Sequence, residues 1–166
     1  MIIKRTVCAT VLALMAAASA AQAQQRPEPQ WWLDVNLGSY HFGDESGFLP
    51  PGERFNEFNP GIGVEVQWQP RHAVAAGYFR NSVDRNSLYA LYQYTPLQFG
   101  RYVRVGGMVG AVTGYPGYND GGIAPAGGLV VKIERGRIGA NLIVLPEIPD
   151  VTPTTLGLQV KLRLDR

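Results

Sequence analysis

From Trp31 to the end of the chain, apolar residues recur every second position and not at the 3.6-residue spacing of a helix. Period two places successive side chains on opposite faces of an extended strand. The clearest segment is the last. Leu156, Leu158, Val160, Leu162 and Leu164 share one face, and Thr155, Gly157, Gln159, Lys161, Arg163 and Asp165 share the other. The pattern returns in Ile62, Val64, Val66 and Trp68 against Gly63, Glu65 and Gln67, and in Leu88, Ala90, Tyr92 and Tyr94. It also returns in Val103, Val105, Val109 and Ala111 against Arg104, Gly106, Met108 and Gly110. Two segments are imperfect: Val130 interrupts the face of Lys132 and Glu134, and Ile143 that of Arg137, Gly139 and Asn141. The first, Trp31 to Phe42, leaves its facing undecided between two adjacent tryptophans. Eight such segments of about ten residues are separated by Gly, Pro, Asn and Asp.

A strand with one apolar face serves a soluble sandwich or lipocalin-like barrel, whose apolar faces meet inside, or a membrane barrel, whose apolar faces meet lipid. Three features favour the membrane barrel. Trp31, Trp32, Trp68, Tyr78, Tyr94 and Tyr102 sit near segment ends, as interfacial girdles do. The polar face carries both signs of charge (Glu65, Arg104, Lys132, Arg137, Lys161, Arg163), which can pair in a narrow lumen. Glycine is frequent in mid-strand, where a small lumen needs little volume. The links alternate in length: Gln69 to His72 and Glu134 to Gly136 are tight, while Phe42 to Asn59, Tyr115 to Gly122 and Pro146 to Pro153 are long. Short periplasmic turns and longer outer loops are the expected asymmetry. No stretch after Ala23 is apolar enough to cross as a helix, so any spanning structure is an all-β, eight-stranded, antiparallel up-and-down barrel over residues 31–166.

The start of the chain points to export. Lys4 and Arg5 precede an apolar run from Val7 to Ala18, and Ala21-Gln22-Ala23 is a small-x-small cleavage site, so residues 1–23 read as a signal peptide. Residues 24–30, with Pro27 and Pro29, read as a short polar leader. Cys8 is the sole cysteine and leaves with the signal, which removes disulfides and thiol chemistry. A formal net charge of +2 without a basic tract argues against nucleic acid. The two histidines, His41 and His72, have no metal-ligand spacing. Gly106-Gly107 lies inside a strand, which suits close packing better than an anion site.

Four segments, in order, resemble the PagP lipid A acyltransferases: Ser39-Tyr40-His41-Phe42 with the loop to Arg54–Gly63; Tyr78-Phe79-Arg80-Asn81-Ser82 with Tyr89-Ala90-Leu91-Tyr92; Val109–Thr113; and the proline-marked strands around Pro125 and Pro146. The resemblance implies an outer-membrane barrel that moves a fatty acyl chain from phospholipid to the glucosamine of lipid A. It implies His41 and Ser82 as active residues, with Asn81 where the family carries Asp. An amide cannot stabilise an imidazolium, an exchange worth on the order of ten-thousand-fold in Ser-His-Asp hydrolases; Asp84 and Asp44 are the nearby carboxylates. It also places Tyr92 and Gln93 at the acyl pocket, where the long amide of Gln93 shortens the cavity. The chain lacks the family's leading helix and a terminal aromatic.

Elementary chemistry agrees in outline. Acyl transfer needs a base beside the attacking hydroxyl, and His41 borders a long loop while His72 sits in a short turn. An Asn-Ser pair at a strand end is also ordinary turn chemistry. The expectation is a monomer in the cell outer membrane, with phospholipid and lipid A as partners and no cofactor or metal. The alternatives are a non-enzymatic barrel with a structural, adhesion or resistance role, and a soluble periplasmic barrel that binds a lipid.

Overall fold

The computed structural model describes residues 28–43, 49–50, 52–148 and 152–165. The expected signal peptide (residues 1–23), most of the expected leader (24–30) and Asp44 lie outside the described residues. Eight strands form one closed antiparallel barrel, each bonded to its neighbours in sequence and the last to the first. They are β1 (Gln30–His41), β2 (Phe58–Gln69), β3 (His72–Arg80), β4 (Asn86–Phe99), β5 (Val103–Val112), β6 (Ala124–Arg135), β7 (Ile138–Leu145) and β8 (Thr155–Arg163). Closure leaves no edge strand, so backbone donors and acceptors pair within the wall.

The expected period holds, and its direction is apolar outward. On β8, Leu158, Val160 and Leu162 are exposed while Gln159 and Lys161 are buried in the lumen. On β1, Trp31 faces out at 48% exposure and Trp32 faces in at 1%. The alternation there continues inward with Asp34 and Asn36, until a register shift between Asn36 and Gly38. A barrel with an apolar exterior and buried polar side chains within is the arrangement of a membrane-spanning barrel.

Two of the expected lumen charges stand elsewhere. Arg137 is exposed in the β6–β7 turn, where its guanidinium donates to the Arg163 carbonyl, and Arg163 pairs with Asp165 at the rim. Both residues lie where the barrel ends, so no lumen remains for them to enter. Glycines on the neighbouring strands β2 and β3 make room for the Tyr89 ring in the lumen. A Cβ at Gly77 would lie 2.7 Å from the Tyr89 ring, and one at Gly63 would collide with its hydroxyl. A Cβ at Gly106 would collide with the Tyr94 carbonyl, so this glycine serves close strand packing.

The β1–β8 seam is fastened at the short-turn end. The Leu164 N–H donates to the Trp31 carbonyl at 2.8 Å, and the Trp31 N–H donates to Asp165 Oδ1 at 2.8 Å. The two-pronged Arg163 guanidinium, with the Trp31 amide, holds the Asp165 carboxyl at about 2 against an ordinary 3.8. A depressed carboxylate contributes stability above its unfolded value, and that contribution disappears as pH falls through the folded value. Carboxyl-detected NMR of the folded protein should therefore show Asp165 titrating near 2, and rising toward 3.8 in Arg163→Gln, where the Trp31 amide remains. A wild-type midpoint of 3.8 would contradict the fastening.

Candidate functional site

The barrel axis divides the lumen into two chemically different tiers. The tier nearer the short turns is charged. Glu65 is fully buried, and its Oε1 receives Lys161 Nζ at 2.6 Å and Lys132 Nζ at 2.9 Å. Lys161 also reaches Glu134 at 2.7 Å and stands 4.5 Å from the centre of the Trp32 ring. Glu134 pairs in turn with Arg104, which donates to Gln67 at 3.1 Å. Amides extend the set: Asn141 Nδ2 donates to Glu65 Oε2 and to Gln159 Oε1, and Gln159 Nε2 donates to Asn36 Oδ1 at 2.5 Å. Asp34 is also fully buried, and neither of its oxygens accepts a hydrogen bond among the described residues.

The tier nearer the long loops is apolar. Ala75, Tyr89, Leu91 and Met108 form a buried cluster, with Phe79, Val112, Ala126, Ile143 and Leu145 packed against it. Register puts these residues on the lumen side: Tyr89 lies opposite Val112 and Gly77, Leu91 opposite Gly110 and Ala75, and Phe79 opposite Gly61. Phe79, Val112, Ala126, Ile143 and Leu145 remain partly exposed although they face inward, so accessible space lies in this outer tier. The two breaks in the sequence pattern belong here. Val130 is 0% exposed and pairs with Ile143, marking the level where the charged tier gives way to the apolar one.

Gln93 lies within the lumen, 1% exposed, opposite Ala73 and Met108. It is one inward position below Leu91, at the floor of the apolar tier. Tyr92, expected beside it, points the other way. It is 38% exposed on the outer surface and its hydroxyl lies 2.6 Å from His72 Nδ1. Neighbouring residues on one strand face opposite sides, so the two cannot line one pocket.

His41, Asn81 and Ser82 are all buried at the long-loop mouth. His41 ends β1, and Asn81 and Ser82 follow β3. The return limb of the first long loop, residues 53–57, joins them. The Phe55 ring stacks on His41 with centroids 4.2 Å apart, and the next residue, Asn56, donates its N–H to the Ser82 carbonyl at 2.8 Å. Asn56 Nδ2 also reaches Asp84 Oδ1 at 3.1 Å, and Asp84 is exposed and paired with Arg80. Tyr115, in the β5–β6 loop, has its phenol pushed above the ordinary value by burial, partly offset by a hydrogen bond with Ser82. The rim thus gathers an imidazole, two hydroxyls and an amide above an apolar tier.

Asn81 is fully engaged in the turn. Its Oδ1 accepts from Val83 N–H at 3.1 Å and Arg85 N–H at 2.8 Å, and its Nδ2 donates to Ser87 Oγ and to the Gly114 carbonyl. These bonds fold the 81–85 turn back on itself and tie it to β4 and to the loop after β5. Asp34 and the two-tier division went unrecognised from sequence. The inward position of Asp34 was readable only once the facing of Trp31 and Trp32 was known. Among the described residues no group of three or more His, Cys, Asp or Glu is placed to hold a metal ion.

No family model and no curated protein matches the chain. Solved barrels do. The de novo designed TMB2.3 has 15% identity and a TM-score of 0.56, over 86% of this chain and 100% of that one. Outer membrane protein W of E. coli has 13% identity and a TM-score of 0.49, over 82% and 99%. The Yersinia pestis outer membrane protein Ail has 13% and 0.44, over 82% and 100%. At such identities the likeness to the designed barrel is one of fold.

Proposed function

We propose that the chain is a monomeric outer-membrane barrel that takes a fatty acyl chain into the apolar tier of its lumen and transfers it from phospholipid to lipid A. The observation that carries this reading is the divided lumen. A hydrocarbon chain entering from the long-loop mouth meets Phe79, Val112, Ile143 and Leu145 and stops at Met108 and Gln93, above a charged layer that excludes it. Its ester is then left at the rim, beside His41 and Ser82. His41 takes the proton of the attacking lipid A hydroxyl, and Ser82, with Tyr115 beside it, positions the ester. The new ester bond forms as the phospholipid bond breaks, and the imidazolium returns its proton to the departing lysophospholipid oxygen.

Gln93 sets the depth, so the transferred chain is shorter than palmitate. Mass spectrometry of lipid A from cells expressing the protein tests the proposal. The expected result is one additional acyl chain shorter than sixteen carbons, lost by about 100-fold or more in His41→Ala. Identical profiles from wild type and a folded His41→Ala barrel would refute acyl transfer, and an added palmitoyl chain would refute the role of Gln93.

A second reading has a specific observation in its favour. Asn81, at the family's carboxylate position, has its amide committed to the turn. A barrel that kept the chamber and used no carboxylate would be a non-enzymatic protein with a structural, adhesion or resistance role.

A further inference from the structure

The two rims of the barrel differ in charge. At the short-turn rim each connection carries exposed arginine: Arg71 between β2 and β3, Arg101 between β4 and β5, and Arg135 and Arg137 around the β6–β7 turn. Among the described residues none of these four has a carboxylate partner; the rim's acids are Glu28 and Asp165, and Asp165 is held by Arg163. The long-loop rim is mixed. There Arg54, Arg80 and Arg85 stand among Glu53, Glu57, Asp84, Asp120 and Glu147, and Arg80 is paired with Asp84.

The arginines lie at the edge of the apolar band. Exposed Trp31, Tyr94, Phe99 and Tyr102 flank them, and the Arg135 guanidinium stands 5.8 Å from the Tyr102 ring centre. Aromatic side chains at this height mark the headgroup level of a bilayer. A cation beside them without a carboxylate partner meets lipid phosphate and not bulk water; Arg71, Arg101 and Arg135 can fork onto two oxygens, while Arg137 keeps one edge on the Arg163 carbonyl.

From this geometry we infer that the short-turn rim is a binding surface for anionic phospholipid headgroups of the leaflet it faces. Each arginine bonds a phosphate from the side while its stem lies along the acyl–headgroup boundary. The inference rests on membrane insertion alone and is independent of acyl transfer.

All three tryptophans of the chain lie toward this rim, and Trp31 and Trp68 face outward while Trp32 faces the lumen, so quenching of the outward pair reports the lipids around it. The mature protein is folded into vesicles of phosphatidylcholine mixed with either brominated phosphatidylglycerol or brominated phosphatidylcholine. Heat-modifiable gel mobility verifies insertion in each. The expected result is a several-fold preference for quenching by the brominated anionic lipid, about fivefold for each arginine contact at low salt, and its decline in 0.5 M salt. The preference should vanish in the quadruple variant R71Q/R101Q/R135Q/R137Q and persist in R54Q/R80Q/R85Q at the other rim. Equal quenching by the two lipids in inserted wild type, or a preference unchanged in the quadruple variant, would overturn the inference. Failure to insert would instead refute the membrane reading on which it stands.

Discussion

Glu65→Gln is expected to lower the unfolding free energy by about 3–5 kcal/mol, the cost of leaving a buried charge without its counter-ion. Glu65 is the acceptor at the centre of the charged tier, holding Lys132 at 2.9 Å and Lys161 at 2.6 Å. Lys161 retains Glu134, but Lys132 has no other ion-pair partner among the described residues. Replacing both ends, as in E65Q/K132M, should recover most of the loss, because an apolar side chain needs no counter-charge. Asp34→Asn provides the contrast. Among the described residues its oxygens accept no hydrogen bond and no cation pairs with them, so the amide breaks no interaction and should not lower stability. Urea unfolding of the inserted barrel, followed by tryptophan emission, checks all three. A Glu65→Gln variant as stable as wild type would show that the tier is solvated and does not behave as a buried network.

Asn81→Ala is expected to cost about 2–4 kcal/mol and to loosen the long-loop mouth. The substitution leaves Val83 N–H, Arg85 N–H and the Gly114 carbonyl without their partner, and each of these part-buried bonds contributes about 1 kcal/mol. Asn81→Asp, which restores the carboxylate of the resembling family, should also destabilise. A carboxylate cannot donate to Ser87 or Gly114 and would confront the Gly114 carbonyl with like charge. Asn81→Ala should therefore show weaker amide-exchange protection at Val83 and Arg85, whose acceptor Asn81→Asp keeps, with the charged tier undisturbed in both. Full protection in Asn81→Ala would mean that the turn is held by its backbone alone. A gain in acyl transfer by Asn81→Asp would mean that the introduced carboxylate can leave the turn to serve His41.

The strands were legible from sequence because one property, the two-residue period, recurs around the whole barrel and needs no knowledge of distant contacts. The direction of facing was also legible, since Glu65, Lys132 and Lys161 have no low-energy place on a lipid face. Tyr92 differs, because its expected place rests on the resemblance and not on the alternation. The same alternation that put Leu88, Ala90, Tyr92 and Tyr94 on one stripe already separated Tyr92 from Gln93, yet alignment through a motif joined them. Val130 and Ile143 looked like faults in a polar face because the tiers follow from shear. Residues on one level of the lumen come from different depths along each strand, and no single segment reveals the level. The rim site was legible in part. His41 and Ser82 were expected at one mouth, but Phe55, Asn56 and Tyr115, which bind them into it, come from loops without periodicity.

Residues 24–166 contain no cysteine, so single cysteines can be placed along β8 and labelled with a fluorophore in inserted protein. Quenching by lipids brominated on their acyl chains then reads which faces touch hydrocarbon. Strong quenching at Leu158→Cys, Val160→Cys and Leu162→Cys, with none at Gly157→Cys or Gln159→Cys, is the predicted result. Quenching without a two-residue period, or labels at 158, 160 and 162 shielded from lipid while the protein stays folded, would contradict a barrel that turns its apolar face to the membrane.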